Sequence, residues 1–407
     1  MSSGNWRTPF VILLCGTAVM LIAFGIRMTY GLWISPASAG LGWGLESLSF
    51  AMAAQALIWG FATPVMGAIA DRHGTGRVIA GCGVAFALGF ILTANATTRI
   101  EAFLGIGVLT GIAMGGLTAP IILTAISKVV EDEKKRGLYA GIASAGGSSG
   151  QVVLVPLIQA VLDATDWMTA LLILAAVTAL IVPLAWTMVS KPEHLAAASG
   201  QQSLSEALRE AFHHPGYLLL TAGYFVCGFQ TLFIVTHFPP MLETYDVSPE
   251  MGAWSIALIG LFNIVGCVLF GAAGGRWRKK NLLAWIYISR AVAMTAFILF
   301  PVTDTSIVVF SAVMGILWLG VVPLTGGVVA QIFGMRYMAT LFGCAFVSHQ
   351  LGGFIGIWAG GWLFDMTGNF LVIWWASVAL GVVAAAFNLP IDDRPVERRP
   401  LAAGGAV

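Results

Sequence analysis

Apolar runs of about twenty residues recur along the whole 407-residue chain, and no other feature restricts its fold as strongly. Each run is long enough for a helix to cross a hydrocarbon core of about 30 Å. Hydrophobic residues make up 58% of the sequence and charged residues only 10%, which is typical of a polytopic membrane protein. The runs predict twelve spans, at Phe10–Ile34, Leu48–Ala70, Val78–Asn95, Phe103–Ser127, Leu138–Leu162, Met168–Val189, Tyr217–Met241, Met251–Gly274, Leu282–Pro301, Ser306–Phe333, Met338–Phe364 and Phe370–Leu389.

Basic residues divide the connecting segments into two sets. Of the twenty Lys and Arg, all but Arg27, Arg99 and Arg290 fall on the side that carries both termini. By the positive-inside rule this side is the cytoplasm, so we expect a multi-pass protein of a bacterial-type inner membrane with both termini cytoplasmic. A net charge of +1 gives no sign of nucleic-acid binding, and the five cysteines all fall inside predicted spans, which argues against disulfides and a metal site.

The longest polar segment, residues 191–215, separates an N-terminal bundle (1–190) from a C-terminal bundle (216–407), and we expect an amphipathic helix in it around Leu204–Phe212. Sliding one half over the other by 202 to 204 residues brings together matching landmarks: Gly67 and Gly271, Arg72 and Arg276, Gly111 and Gly315, Asp163 and Asp365, and Arg27 and Gln230. Parallel six-span repeats are typical of transporters that alternate about a central site. The expected fold is an all-α membrane protein with twelve transmembrane helices in two six-helix bundles.

The segment GAIADRHGTGR, residues 67–77, resembles the cytoplasmic loop motif of the major facilitator superfamily. Span number, the central polar segment and a degenerate second copy, GAAGGRWRKK, agree over essentially the whole chain. The resemblance implies a charge latch between helix ends that biases the inward-closed state, made by Asp71, Arg72 and Arg77. The rest of the motif comprises Gly67 and Gly74, with Arg276 in the second copy, where Gly275 replaces the acid.

Three further stretches are similar to the bacterial side of the monocarboxylate porter and oxalate:formate antiporter branch: GIRMTYGLWISP, GYFVCGFQTLFIVTHFPP and ALIGLFNIVG. This resemblance implies a small organic acid as substrate, recognised by an intramembrane Arg or Lys. Monocarboxylate porters usually carry an acid and an Arg in the eighth span, where this chain has Asn263 as its only strong polar group.

Arg27 interrupts the first apolar run, and a charge at the centre of a span costs about 2.5 to 3.5 kcal/mol on insertion scales. Such a residue is a candidate for function. Tyr30 lies one turn further on the same face, so a guanidinium and a phenol are placed to hold one carboxylate. Gln230 takes the position of Arg27 in the second half, and His237 follows two turns later.

Other polar residues in the spans complete the predicted substrate contacts, namely Gln151, Asn263 and Gln350. Arg290 also lies within a span, but on a helix expected to support the bundle from outside. We expect it to pair with helix carbonyls or a neighbouring polar side chain.

All nineteen acidic residues map to loops or span ends, so the usual carboxylate proton relay is missing. Proton symport would use His237 or His349, or the proton of the substrate's own carboxyl. The expected activity is secondary transport of a small carboxylate by a monomer in the bilayer, without cofactors. The alternatives are an exporter of a larger or zwitterionic metabolite and a transporter-like sensor without flux. No pattern of catalytic residues is present, so we do not expect an enzyme.

Overall fold

The computed structural model describes residues 8–118, 121–122, 133–188, 203–334 and 337–396. Asp71, residues 133–145 and Ala339 are described by their backbone only. Every regular element within these ranges is helical, and twelve helical spans in them are long and apolar enough to cross a membrane. The predicted all-α, twelve-span architecture is therefore confirmed.

Each half contributes six spans. The N-terminal spans are Pro9–Arg27 continued by Tyr30–Leu41 (span 1), Leu45–His73 (span 2), Thr75–Ala94 (span 3), Arg99–Gly116 (span 4), Glu133–Ala164 (span 5), and Trp167–Ala179 continued by Ile181–Ala185 (span 6). The C-terminal spans are Pro215–Glu243 (span 7), Pro249–Ala273 (span 8), Lys279–Leu299 (span 9), Asp304–Leu317 continued by Val321–Phe333 (span 10), Met338–Thr367 (span 11) and Leu371–Asn388 (span 12).

The polar segment between the halves contains the helix Leu204–His213, which confirms the amphipathic helix predicted there. Ser203 caps it by accepting from the backbone N–H of Glu206, and Glu206 accepts in return from the backbone N–H of Ser203. The second of these bonds favours the ionised carboxylate, so the pKa of Glu206 is lowered. The predicted boundary at 190 and 191 lies outside the described residues.

Besides the one-residue break of span 6 at Leu180, two spans are interrupted where the sequence predicts continuous helices. Span 1 breaks at Met28 and Thr29, and the hydroxyl of Thr29 donates to the carbonyl of Ile26 at 2.7 Å. Span 10 breaks between Leu317 and Val321. Both breaks lie within runs that are apolar apart from Arg27, so hydropathy alone does not reveal them. They matter because a break frees backbone carbonyls inside the membrane region.

The halves meet where span 2 packs on span 11 and span 5 on span 8. At the end opposite the termini, the Asp365 carboxylate of span 11 accepts from the backbone N–H groups of Leu45 and Glu46 at 3.0 and 2.8 Å. At the termini-side end of the same two helices, Gly67 and Gly343 have no described atom within 4 Å of an added Cβ. In this conformation the two spans are joined at the far end and parted near the termini.

An ion pair fixes the segment that follows span 12. Arg278, just before span 9, donates to the buried carboxylate of Asp393 at 2.5 Å. The hydrogen bond and the charge of Arg278 hold the pKa of Asp393 below its ordinary value. The pair ties the end of the C-terminal half to the loop between spans 8 and 9.

We expect Asp393→Asn to lower the unfolding temperature at pH 7 by about 1 to 2 °C, because one partner of the pair is exposed. A carboxylate whose pKa is lower in the folded chain stabilises it above the unfolded pKa, and this stabilisation is lost as the pH falls through the folded pKa. The difference in unfolding temperature between the wild type and the variant should therefore persist down to about pH 4 and shrink below that pH. Unfolding in detergent across this range measures it, and a deficit already gone at pH 5 would contradict the ion pair as its cause.

Candidate functional site

Arg27 is the last residue of the first helix of span 1, and its side chain is enclosed by protein, with 1% exposed. None of its three guanidinium nitrogens has a hydrogen-bond partner among the described residues. Among the described residues it is the only buried Lys or Arg whose side-chain nitrogens have no hydrogen-bond partner. Burial of an unpaired charge is strongly unfavourable, so this side chain needs an anionic or strongly polar partner that the described residues do not supply.

Tyr30 sets the position of this guanidinium. The guanidinium carbon of Arg27 lies 4.7 Å from the centre of the Tyr30 ring, in cation–π contact. The Tyr30 hydroxyl accepts from the Gln55 amide of span 2 at 2.8 Å and also bonds Thr110 of span 4. The Thr110 hydroxyl gives its own hydrogen to the carbonyl of Ile106, so it accepts from Tyr30. Tyr30 therefore presents its ring face to Arg27, while its hydroxyl hydrogen is used inside the N-terminal half.

The backbone around Arg27 favours a buried charge. Arg27 ends one helix, and the negative end of a helix dipole attracts a cation placed in its last turn. A helix interrupted at mid-membrane is a common way to build a substrate site in transporters. Span 1 also approaches span 5 closely, because a Cβ on Gly25 would lie 2.5 Å from the carbonyl carbon of Gly150.

The structure places the two polar candidates of span 7 inside the C-terminal half. Gln230 donates to the carbonyl of Ser377 in span 12 at 3.0 Å and accepts from Arg290 at 3.4 Å. The Nε2 of His237 lies 2.7 Å from the carbonyl of Ile357 in span 11, so this nitrogen carries the hydrogen. Its Nδ1 has no partner among the described side chains and backbone groups. Neither residue forms a hydrogen bond with Arg27 within the described ranges.

Arg290 pairs with helix carbonyls, as the sequence analysis predicts. Its guanidinium donates to the carbonyl of Leu317 through Nε at 3.1 Å and Nη2 at 2.7 Å, and also to the carbonyl of Trp318. These are the carbonyls freed by the break in span 10. On the other side of the same break, Asn263 accepts from the backbone N–H of Leu319 at 3.0 Å. Arg290 and Asn263 together satisfy the interrupted helix.

Three of the predicted substrate contacts form hydrogen bonds across the seam between the halves. Gln151 of span 5 donates to the carbonyl of Ile256 in span 8 at 2.5 Å, and Gln350 of span 11 donates to the carbonyl of Ala56 in span 2 at 2.8 Å. The third, Asn263, donates to the hydroxyl of Ser148 across the seam at 3.1 Å. All three side chains join the N-terminal half to the C-terminal half.

The loop motif forms the turn between spans 2 and 3. Gly74 has a φ of 93°, a region that residues with a side chain rarely adopt, and its N–H bonds the carbonyl of Ala70 at 2.8 Å. The side chains of Arg72, Arg77 and Arg276 are exposed. The side chain of Asp71 lies outside the described part of the structure. The charge latch implied by the motif stays a prediction.

Known proteins are similar to this chain in sequence and fold. A family model described as Major Facilitator Superfamily matches residues 13–356. Monocarboxylate transporter 11 of Mus musculus is 26% identical over 393 residues, 90% of this chain and 83% of the relative. The uncharacterized MFS-type transporter YcxA of Bacillus subtilis (strain 168) is 26% identical over 277 residues, 64% of each chain. The crystal structure of a bacterial homolog to the human lysosomal transporter Spinster, inward-facing and occupied, superposes with a TM-score of 0.74 at 17% identity, over 95% of this chain and 97% of that one.

Proposed function

Because the chain belongs to the Major Facilitator Superfamily, a family of membrane transporters, we propose that it carries a small organic anion of the monocarboxylate class, with Arg27 as the anion-binding group. The observation that carries the proposal is the enclosed guanidinium of Arg27, whose three nitrogens have no partner among the described residues. The similarity to proteins named monocarboxylate transporters supports the same substrate class.

A carboxylate is the ligand that best satisfies such a group. Its two oxygens accept two parallel hydrogen bonds from the guanidinium fork, and its charge neutralises the cation. One unpaired buried cation also favours a monoanion, because a second carboxylate would bring a negative charge for which the described spans hold no free counter-charge. The proposed substrate is therefore small, with one carboxylate and a short polar or apolar remainder.

The proposed cycle alternates between two arrangements of the halves and includes no covalent step. With the termini in the cytoplasm, as the positive-inside rule favours, the described conformation is closed toward the outside and parted toward the cytoplasm. The exposure of Arg72 and Arg77 fits this conformation, since a latch that holds the cytoplasmic side closed would engage these two side chains. His237 and His349 remain the candidates for proton coupling within the spans.

Uptake by reconstituted proteoliposomes tests the proposal. Radiolabelled lactate and pyruvate should enter and compete with each other, while lactamide, which has nearly the same shape without the charge, should not compete. A dicarboxylate such as succinate should compete weakly. Equal competition by lactamide, or no flux of any monocarboxylate with or without an inward proton gradient, would contradict the proposal.

A further inference from the structure

The two halves are joined twice by the same kind of hydrogen bond, once from each side. Gln151 and Gln350 lie 199 residues apart, on spans 5 and 11, which are equivalent in the repeat. Their acceptors, the carbonyls of Ile256 and Ala56, lie 200 residues apart on the equivalent spans 8 and 2. In both bonds a glutamine amide of one half therefore reaches a helix carbonyl of the other.

A glycine makes each acceptor accessible. Gly260 and Gly60, also 200 residues apart, lie four residues after the two acceptors. In a helix the residue at i+4 covers the carbonyl of residue i, and without a side chain there the second lone pair of the oxygen is open. A Cβ on Gly260 would lie 2.8 Å from Cδ of Gln151, and one on Gly60 would lie 3.0 Å from Cβ of Gln350. Each glutamine fills the space that its glycine leaves.

His349 fixes the orientation of the second glutamine. Nδ1 of His349 lies 3.0 Å from Oε1 of Gln350. The amide oxygen only accepts, so the hydrogen of this bond belongs to the histidine, and the amide nitrogen is left to face Ala56. Both polar ends of the Gln350 amide are thereby used, one within its own half and one across the seam.

The Gln350 bond lies between the closed and the parted ends of spans 2 and 11. Gly67 is two turns beyond Gly60 on the same face of span 2, and Gly343 is two turns before Gln350 on span 11; both face open space among the described atoms. Toward the opposite end, the same pair of helices stays joined as far as Asp365. Rocking that opens the opposite end must separate span 5 from span 8 and span 2 from span 11, and so must break both glutamine bonds.

We propose that Gln151 and Gln350 are a matched pair of clamps that hold the far side of the transporter closed. Each clamp consists of a glutamine, the helix carbonyl that it binds in the other half, and the glycine that exposes that carbonyl. The two glutamines set the balance between the closed and open forms of that side, whatever the substrate is. The inference goes beyond the proposed function, since it concerns the gate and not the anion site.

Distance measurements between spin labels on the two halves test the clamps without a substrate. Labels attached through non-canonical amino acids at Thr165 and Thr305, both exposed at the far end, avoid the five native cysteines. Gln151→Leu and Gln350→Leu should each raise the ratio of open to closed far-side distances about 5-fold, the effect of one buried hydrogen bond. The double variant should raise it about 25-fold, because both bonds break in the same transition.

Gln159→Leu is the matched control. Gln159 is also a buried glutamine of span 5, but it bonds Asp163 in its own helix at 2.8 Å, so its loss should leave the distances unchanged. Gly60→Ala and Gly260→Ala displace the clamps without removing a polar group and should shift the ratio in the same direction as the leucine variants. A double variant with the wild-type distances, or a shift in Gln159→Leu as large as that in Gln350→Leu, would overturn the proposal.

Discussion

Arg27→Met is expected to abolish carboxylate uptake, with a loss of about 100-fold or more, and at the same time to raise the unfolding temperature of the protein. The loss follows because a desolvated charge pair contributes about 2 to 5 kcal/mol when one partner is truncated. The gain in stability follows because the wild-type chain buries a cation for which the described residues offer no hydrogen bond. Proteoliposome uptake and thermal unfolding of the same preparation measure both effects.

Arg27→Lys is the control for this experiment. It keeps the charge but loses the planar fork, so it should retain weak uptake with a raised KM and gain no stability. Wild-type uptake by the Met variant would remove Arg27 as the anchor. A fall in its unfolding temperature would mean that the guanidinium is already satisfied within the folded chain.

Arg290→Met, the same substitution at the other buried arginine, is expected to have the opposite effect on stability. It leaves the carbonyls of Leu317 and Trp318 without their donor at the break in span 10, together with the amide oxygen of Gln230. Each buried acceptor left unsatisfied costs about 1 to 3 kcal/mol, so the loss of the donor to three acceptors should lower the unfolding free energy by about 3 kcal/mol or more. Denaturant titration in detergent measures this loss.

Arg276→Met serves as the surface control, because Arg276 is exposed and its removal should change stability little. If Arg290→Met unfolds at the wild-type denaturant concentration, the guanidinium does not support the break. If Arg27→Met stabilises the protein and Arg290→Met destabilises it, the charge of Arg27 serves ligand binding and the charge of Arg290 serves the fold.

The spans and the repeat were predictable because both are recorded in hydropathy and in recurring landmarks. The side-chain contacts were not. The repeat puts Gln230 at the position of Arg27, yet Gln230 turns into the C-terminal half and bonds Ser377 and Arg290. Each residue of an α-helix turns by about 100°, so an offset uncertain by one residue leaves the facing direction undetermined.

Asp163 and Asp365 illustrate a contact that sequence position alone does not decide. Both acids end equivalent spans, but Asp163 bonds Gln159 four residues before it in its own helix. The residue four before Asp365 is Gly361, which offers no side-chain donor. The carboxylate of Asp365 instead reaches the first backbone N–H groups of span 2. The informative signal was the residue at i−4, not the acid itself.

Asp365 bonds across the boundary between the halves, whereas Asp163 bonds within its own helix, and this difference affects how the halves separate. Besides the Asp365 carboxylate, the Trp358 indole of span 11 also joins spans 2 and 11. It donates to the side chain of Glu46 at 3.4 Å. At the same end of the bundle, no acidic side chain among the described residues bonds from span 5 to span 8. When the far side opens, spans 5 and 8 should therefore begin to separate before spans 2 and 11 do, and solute arriving from the far compartment should first enter through a lateral cleft beside span 8.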